Sequence, residues 1–153
     1  MTGRGASGPS VEVHRSEPWT DEVPDLVALL ERAARLTAAT GEGASGGTIS
    51  LTLLSEEEMA EMNRRWLGRQ GGTDVISFDL GDDRLMADVY IAPEVGRRRA
   101  EAEGIGLREE LVRLAVHGTL HALGHDHPED EGRWESEMYR LQERLVARTI
   151  AGE

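Results

Sequence analysis

The sequence predicts one α+β domain with a small mixed four-stranded sheet covered by about five helices. Short runs rich in apolar and β-branched residues, Thr48–Leu54 (TISLTLL) and Met86–Ala92 (MADVYIA), have the length and composition of strands. Longer segments carry apolar residues at helical spacing, most clearly Leu107–Leu123 with Leu107, Leu111, Leu114, Ala115, Val116 and Leu120. The two types follow one another as β, α, β, α, β, β, α, α, α without a repeating period, and 153 residues suit a single domain.

Residues 1–10 are rich in Gly, Ser and Pro and are expected to form a disordered tail, leaving 11–150 as the domain. Val11–Val13 alternates and reads as an edge strand. Asp25–Ala39 places Leu26, Leu29, Leu30, Ala33, Ala34 and Ala38 on one helical face. After the strand Thr48–Leu54, Ser55 and Glu58 form a capping-box pair that opens a helix running to about Trp66, with Met59, Met62 and Trp66 on one stripe. Thr73–Phe78 reads as a strand, Gly81–Asp83 as a turn and Met86–Ala92 as the next strand. Pro93 suits the first turn of a helix that ends at Gly104. Leu107–Leu123 follows, with Gly124 as a left-handed stop, and then a final helix over Glu131–Ile150 with Trp134, Met138, Leu141, Leu145 and Val146 on its apolar face.

Composition narrows the function. All 17 basic residues are Arg, the formal charge is −12, and Cys is absent. No disulfide can form and no thiolate is available, so a transition-metal site must use His, Asp or Glu. The N-terminus lacks the apolar stretch of a secretory signal and no run is long enough to span a membrane, which points to a soluble, cytoplasmic protein. The acidity counts against a nucleic-acid partner, because phosphate binding favours a basic surface.

Four of the five His fall within His117–His127, in the segment HGTLHALGHDH. His117 and His121 are four apart on a predicted helix and share a face. Gly124 then lets the chain double back, so that His125 or His127 can meet the first two at one point. Three imidazoles without thiolates match a zinc site whose fourth position is open to water. The spacing also follows the metzincin peptidase pattern, but Gly118 stands where the peptidase places its general-base Glu. The simpler alternative is a pair of surface His that happen to lie one helical turn apart.

The segment His117–His127 resembles the signature of the YbeY family of bacterial rRNA maturation factors. Asn63 with Trp66, Thr73–Phe78, Asp88–Ile91, Glu109 and Glu137-Met138 resemble further family blocks in the same order, over about residues 48–147. The resemblance implies a zincin-like fold. It also implies a zinc-dependent, single-strand-specific endoribonuclease in 16S rRNA 3′-end maturation and ribosome quality control. Its partners would be single-stranded RNA and ribosomal small-subunit proteins, with no DNA substrate and no membrane. By position it assigns one Zn²⁺ to His117, His121 and His127 and leaves His125 as a neighbour of the metal. Where the family has Arg after the aromatic residue, this chain has Leu67, with Arg64, Arg65 and Arg69 around it as candidate RNA contacts.

Other residues carry competing readings. Asp126 is a candidate catalytic residue that orients an imidazole or holds the attacking water; the alternative is a turn or cap role. Asp74 is either a site carboxylate or a cap. Arg97–Arg99 is expected to be a solvated helix face paired with Glu, and Trp66 to be core. A zincin-type peptidase with its base elsewhere, or a non-enzymatic zinc-stabilised ribosome assembly factor, are the alternative functions. The high acidity predicts weak RNA binding by the unaided protein, with an Arg patch, the metal or a basic ribosomal protein bringing substrate near.

Overall fold

The β-branched and apolar runs form a four-stranded sheet in the computed structural model, which describes residues 9–15, 22–40, 47–68, 75–79, 86–125 and 136–152. In chain order the elements are β1 (Ser10–Arg15), α1 (Leu26–Ala38), β2 (Thr48–Leu53), α2 (Glu56–Leu67), β3 (Val75–Asp79), β4 (Met86–Ile91), α3 (Pro93–Glu103), α4 (Leu107–Ala122) and α5 (Glu137–Ile150). The sheet order is β1-β2-β4-β3: β1, β2 and β4 run parallel, and β3 pairs antiparallel with β4. This is a mixed sheet with five helices, as the element pattern predicts. The predicted edge strand takes in Ser10, which pairs with Thr48 rather than belonging to the tail.

Register explains why one sheet face is apolar. Val11, Ile49 and Ala87 lie side by side across β1, β2 and β4, as do Val13, Leu51 and Val89, while the intervening residues Glu12, Ser50 and Asp88 point to the opposite face. The apolar face meets α1 through Leu26, Leu29, Leu30 and Ala33, and α4 through Leu111, Val112, Ala115 and Val116, in one continuous core closed by Met138, Leu145 and Val146 of α5. A smaller cluster of Leu54, Met59 and Ala92, with Met62, Tyr90 and Val95 against it, seats α2 and α3.

The helix ends follow their capping chemistry. Ser55 Oγ accepts from the Glu58 N–H at 3.1 Å while Glu58 Oε1 accepts from the Ser55 N–H at 3.0 Å, the reciprocal pair expected of this spacing. Two expectations are corrected. The last helix begins at Glu137 rather than Glu131, because Ser136 is extended (ψ 156°) and its hydroxyl caps the Tyr139 N–H; Trp134 lies outside the described residues. Trp66 is 67% exposed, not core. The small cluster holds Met59 and part of Met62, and the last turn of α2 runs beyond it.

Helix α4 is buried over most of its circumference, touching α1, α3, α5, β3 and β4. Gly96 of α3 allows one of these approaches: a Cβ there would stand 3.1 Å from Leu114 Cδ1. Truncation of α4 in the core leaves a cavity that this enclosed packing cannot collapse. Leu111→Ala is expected to cost about 3 kcal/mol in urea denaturation, against less than about 0.5 kcal/mol for Ile150→Ala on the exposed side of α5.

Candidate metal centre and its supporting network

The His pair belongs to the C-terminal half of α4, one turn apart, and the helix holds it where the sequence predicts. The His117 and His121 rings are edge to face, with centroids 4.5 Å apart and planes at 72°. Both side chains are half-buried, so the imidazoles rest against protein yet keep an accessible side.

The chain reverses immediately after this pair. Gly124 has φ +99°, a backbone conformation that L side chains rarely adopt. The Gly124 N–H donates to the His121 carbonyl at 3.0 Å and the His125 N–H to the Leu120 carbonyl at 3.0 Å, which is the hydrogen-bond pair of a Schellman turn. The predicted stop at Gly124 is therefore present, and the turn brings the backbone of His125 back onto the end of α4. Asp126 and His127, the expected catalytic carboxylate and third ligand, lie outside the described residues, as do Asp74 and Arg69. Among the described residues alone, no group of three His, Asp or Glu side chains could hold a metal ion.

Gln142, Glu143 and Arg113, which none of the sequence motifs includes, lie behind His117. Its Nδ1 is 2.7 Å from Oε1 of Gln142 on α5. Gln142 is 5% exposed and its amide nitrogen donates to Glu143 Oε2 at 3.1 Å. Glu143 in turn accepts a bidentate pair from Arg113, Nε to Oε2 at 2.9 Å and Nη2 to Oε1 at 2.8 Å. Arg113 also donates to Glu109 at 2.9 Å and to buried Glu110 at 3.4 Å. The signal for Gln142 is visible in the sequence: it is a polar residue on the buried face of α5 that carries Met138, Leu145 and Val146.

Charge in the network is strongly committed. The hydrogen bond from Arg113 to Glu143 raises the guanidinium pKa against the opposing effect of desolvation. Burial pushes the Glu143 carboxyl up, but the hydrogen bonds from Arg113 and Gln142 and the Arg113 charge outweigh it, and its pKa is lowered.

The candidate RNA contacts are divided. Arg64 is held by Glu61 at 2.5 Å, whereas Arg65 is exposed and makes no salt bridge among the described residues. Arg97 pairs with Glu22, and Arg98 with Glu56 at 2.5 Å, the solvated, carboxylate-paired arrangement expected of that run.

A family model described as endoribonuclease YbeY matches residues 13–149. A Thermus thermophilus endoribonuclease YbeY is 40% identical over 129 residues, covering 80% of this chain and 90% of that protein. The Bacillus licheniformis protein of the same name is 34% identical over 143 residues, covering 84% and 89%. The Mycobacterium ulcerans one is 33% identical over 155 residues, covering 93% and 84%. The solution structure of a Thermotoga maritima protein superposes with a TM-score of 0.64 at 22% identity over 92% of this chain and 89% of that one, a likeness of fold.

The depressed Glu143 pKa gives its ion pair a pH signature. A carboxyl whose pKa is lower in the folded chain contributes stability above its unfolded value, here near 4.5, and loses it as pH falls through the folded value. The gap in melting temperature between wild type and Glu143→Gln is expected to be constant near neutrality and to close below about pH 4.5 when melts are recorded across pH.

Proposed function

Since this chain belongs to the endoribonuclease YbeY family, we propose that it is a zinc-dependent, single-strand-specific endoribonuclease that acts in 16S rRNA 3′-end maturation and ribosome quality control. The observation that carries this reading is the pairing of His117 with His121 on one face of α4, with the second ring nitrogen of His117 already engaged by Gln142. The donors fit zinc: imidazoles side by side, no thiolate anywhere in the chain, and a ligand whose ring is held by a hydrogen bond. His117 and His121 would hold the ion together with His127, in a fold of the zincin kind. When bound, zinc polarises a phosphate oxygen or lowers the pKa of a bound water to roughly 7.

The remaining roles fall to the chain itself. Gly118 is buried in α4 and supplies no carboxylate, so no peptidase-type base stands between the two ligands. The proton of the attacking group, a water or the ribose 2′-OH, would then fall to Asp126 or to a basic group of the substrate. Arg65, with Arg64 and Arg69, would meet the phosphates of single-stranded RNA through guanidinium contacts. The acidity of the chain, with Arg97 and Arg98 already held by carboxylates, leaves the unaided protein a weak RNA binder. A basic ribosomal small-subunit protein would supply the missing attraction in the cytoplasm. No helix among the described residues is long and apolar enough to cross a membrane.

Cleavage of a single-stranded RNA carrying the 16S 3′ end tests the reading. His117→Ala and His121→Ala are expected to lower the rate by about 10²–10³-fold, and a chelator to abolish it with recovery on adding zinc. Wild-type rates in the variants, or peptide cleavage without RNA cleavage, would reject it.

A further inference from the structure

We propose that Arg113, Glu143 and Gln142 form a one-way hydrogen-bond relay that sets the tautomer of His117 and leaves its Nε2 lone pair available to a metal ion. The inference rests on the reading of His117 as a ligand and names positioning residues for that site.

The polarity of the relay follows from what each group can do. The Arg113 guanidinium has donors only, and it occupies both oxygens of the Glu143 carboxylate at 2.8 and 2.9 Å. An ionised carboxylate has acceptors only, so the group of Gln142 that faces Glu143 at 3.1 Å must be the amide NH₂. With the amide turned that way, the carbonyl Oε1 faces His117, and a carbonyl cannot donate. At 2.7 Å the proton must therefore sit on Nδ1 of His117. The neutral ring has one proton, so Nε2 keeps its lone pair. Reversing the amide would place NH₂ against His117 and a carbonyl against a carboxylate, two acceptors face to face.

Burial makes the arrangement effective. Gln142 is 5% exposed, so water competes little for its amide, and it sits on a helix packed against α4. Arg113 and His117 are both on α4, one turn apart, and the relay leaves that helix, crosses to α5 and returns. The ring orientation is thus tied to the packing of two helices rather than to His117 alone. Gln142 and Glu143 touch neither substrate nor metal; they act through the imidazole.

Imidazole ¹⁵N spectroscopy of the metal-free protein reads the tautomer directly, and competition with a chromophoric chelator reads zinc affinity. In the wild type, His117 is expected to carry its proton on Nδ1. Gln142→Leu fits the apolar face of α5; it is expected to move the ring toward the Nε2–H form and weaken zinc binding by about 10–100-fold. Glu143→Gln, which removes the group that orients the amide, is expected to give a mixed tautomer and a smaller loss of affinity; this variant tests the relay even if Gln142→Leu folds poorly. An Nε2–H ring in the wild type, or unchanged tautomer and affinity in both variants, overturns the relay. If the tautomer shifts as expected but wild type binds no zinc, the relay stands and the metal reading fails.

Discussion

Everything near the candidate site depends on the burial of α4. A helix at the periphery shows one apolar stripe, but α4 meets the sheet, three other helices and the capping turn, and its buried residues point in nearly every direction. Only a narrow, partly exposed strip is left for His117 and His121, shared with Glu109 and Arg113. A surface His pair would sample many rotamers in water. The His117 ring is tied to α5 through Gln142, and the carbonyls of Leu120 and His121 accept the hydrogen bonds that close the turn at Gly124, so rotamer freedom at His117 is reduced.

Much of this was legible in the sequence, for identifiable reasons. The strands β2 and β4 are legible because they are short runs rich in apolar and β-branched residues, and the capping box at Ser55 is a local chemical pattern that needs no tertiary information. Gly124 was readable because only a left-handed residue closes a Schellman turn cheaply. The failures share a cause. Trp66 follows Met59 and Met62 at helical spacing, but spacing says which face a residue shares and not how far the supporting core extends. The start of α5 differs from the expectation because a run of acidic residues is compatible with a helix, whereas the decisive hydroxyl at Ser136 acts only on the N–H groups beyond it. Gln142 shows in the sequence only as a buried polar residue, because its importance is a relation to His117, 25 residues earlier on another helix.

The charge balance changes meaning once partners are known. The carboxylates outnumber the guanidiniums, and Arg64, Arg97, Arg98, Arg108 and Arg113 are each engaged by Glu or Asp. At the surface such pairs add little stability because both members are well hydrated. Their effect is to offset positive charge locally at the surface. Arg113 differs in that it is partly buried and joined to three carboxylates, so its charge organises the interior. The exclusive use of Arg is well matched to this task, since a planar fork can hold both oxygens of Glu143 at once and an ammonium cannot.

The position of Gln142 on the helix that follows α4 bears on the order in which the protein is made. A chain synthesised from its N-terminus exposes the His pair before α5 exists to pack against it. Until α5 docks, the Nδ1 of His117 faces water and the ring is free to hold its proton on either nitrogen. Closing the core and orienting the His117 ring are then one event. A chain still emerging from the ribosome would carry both histidines without the ring orientation that α5 imposes on the first.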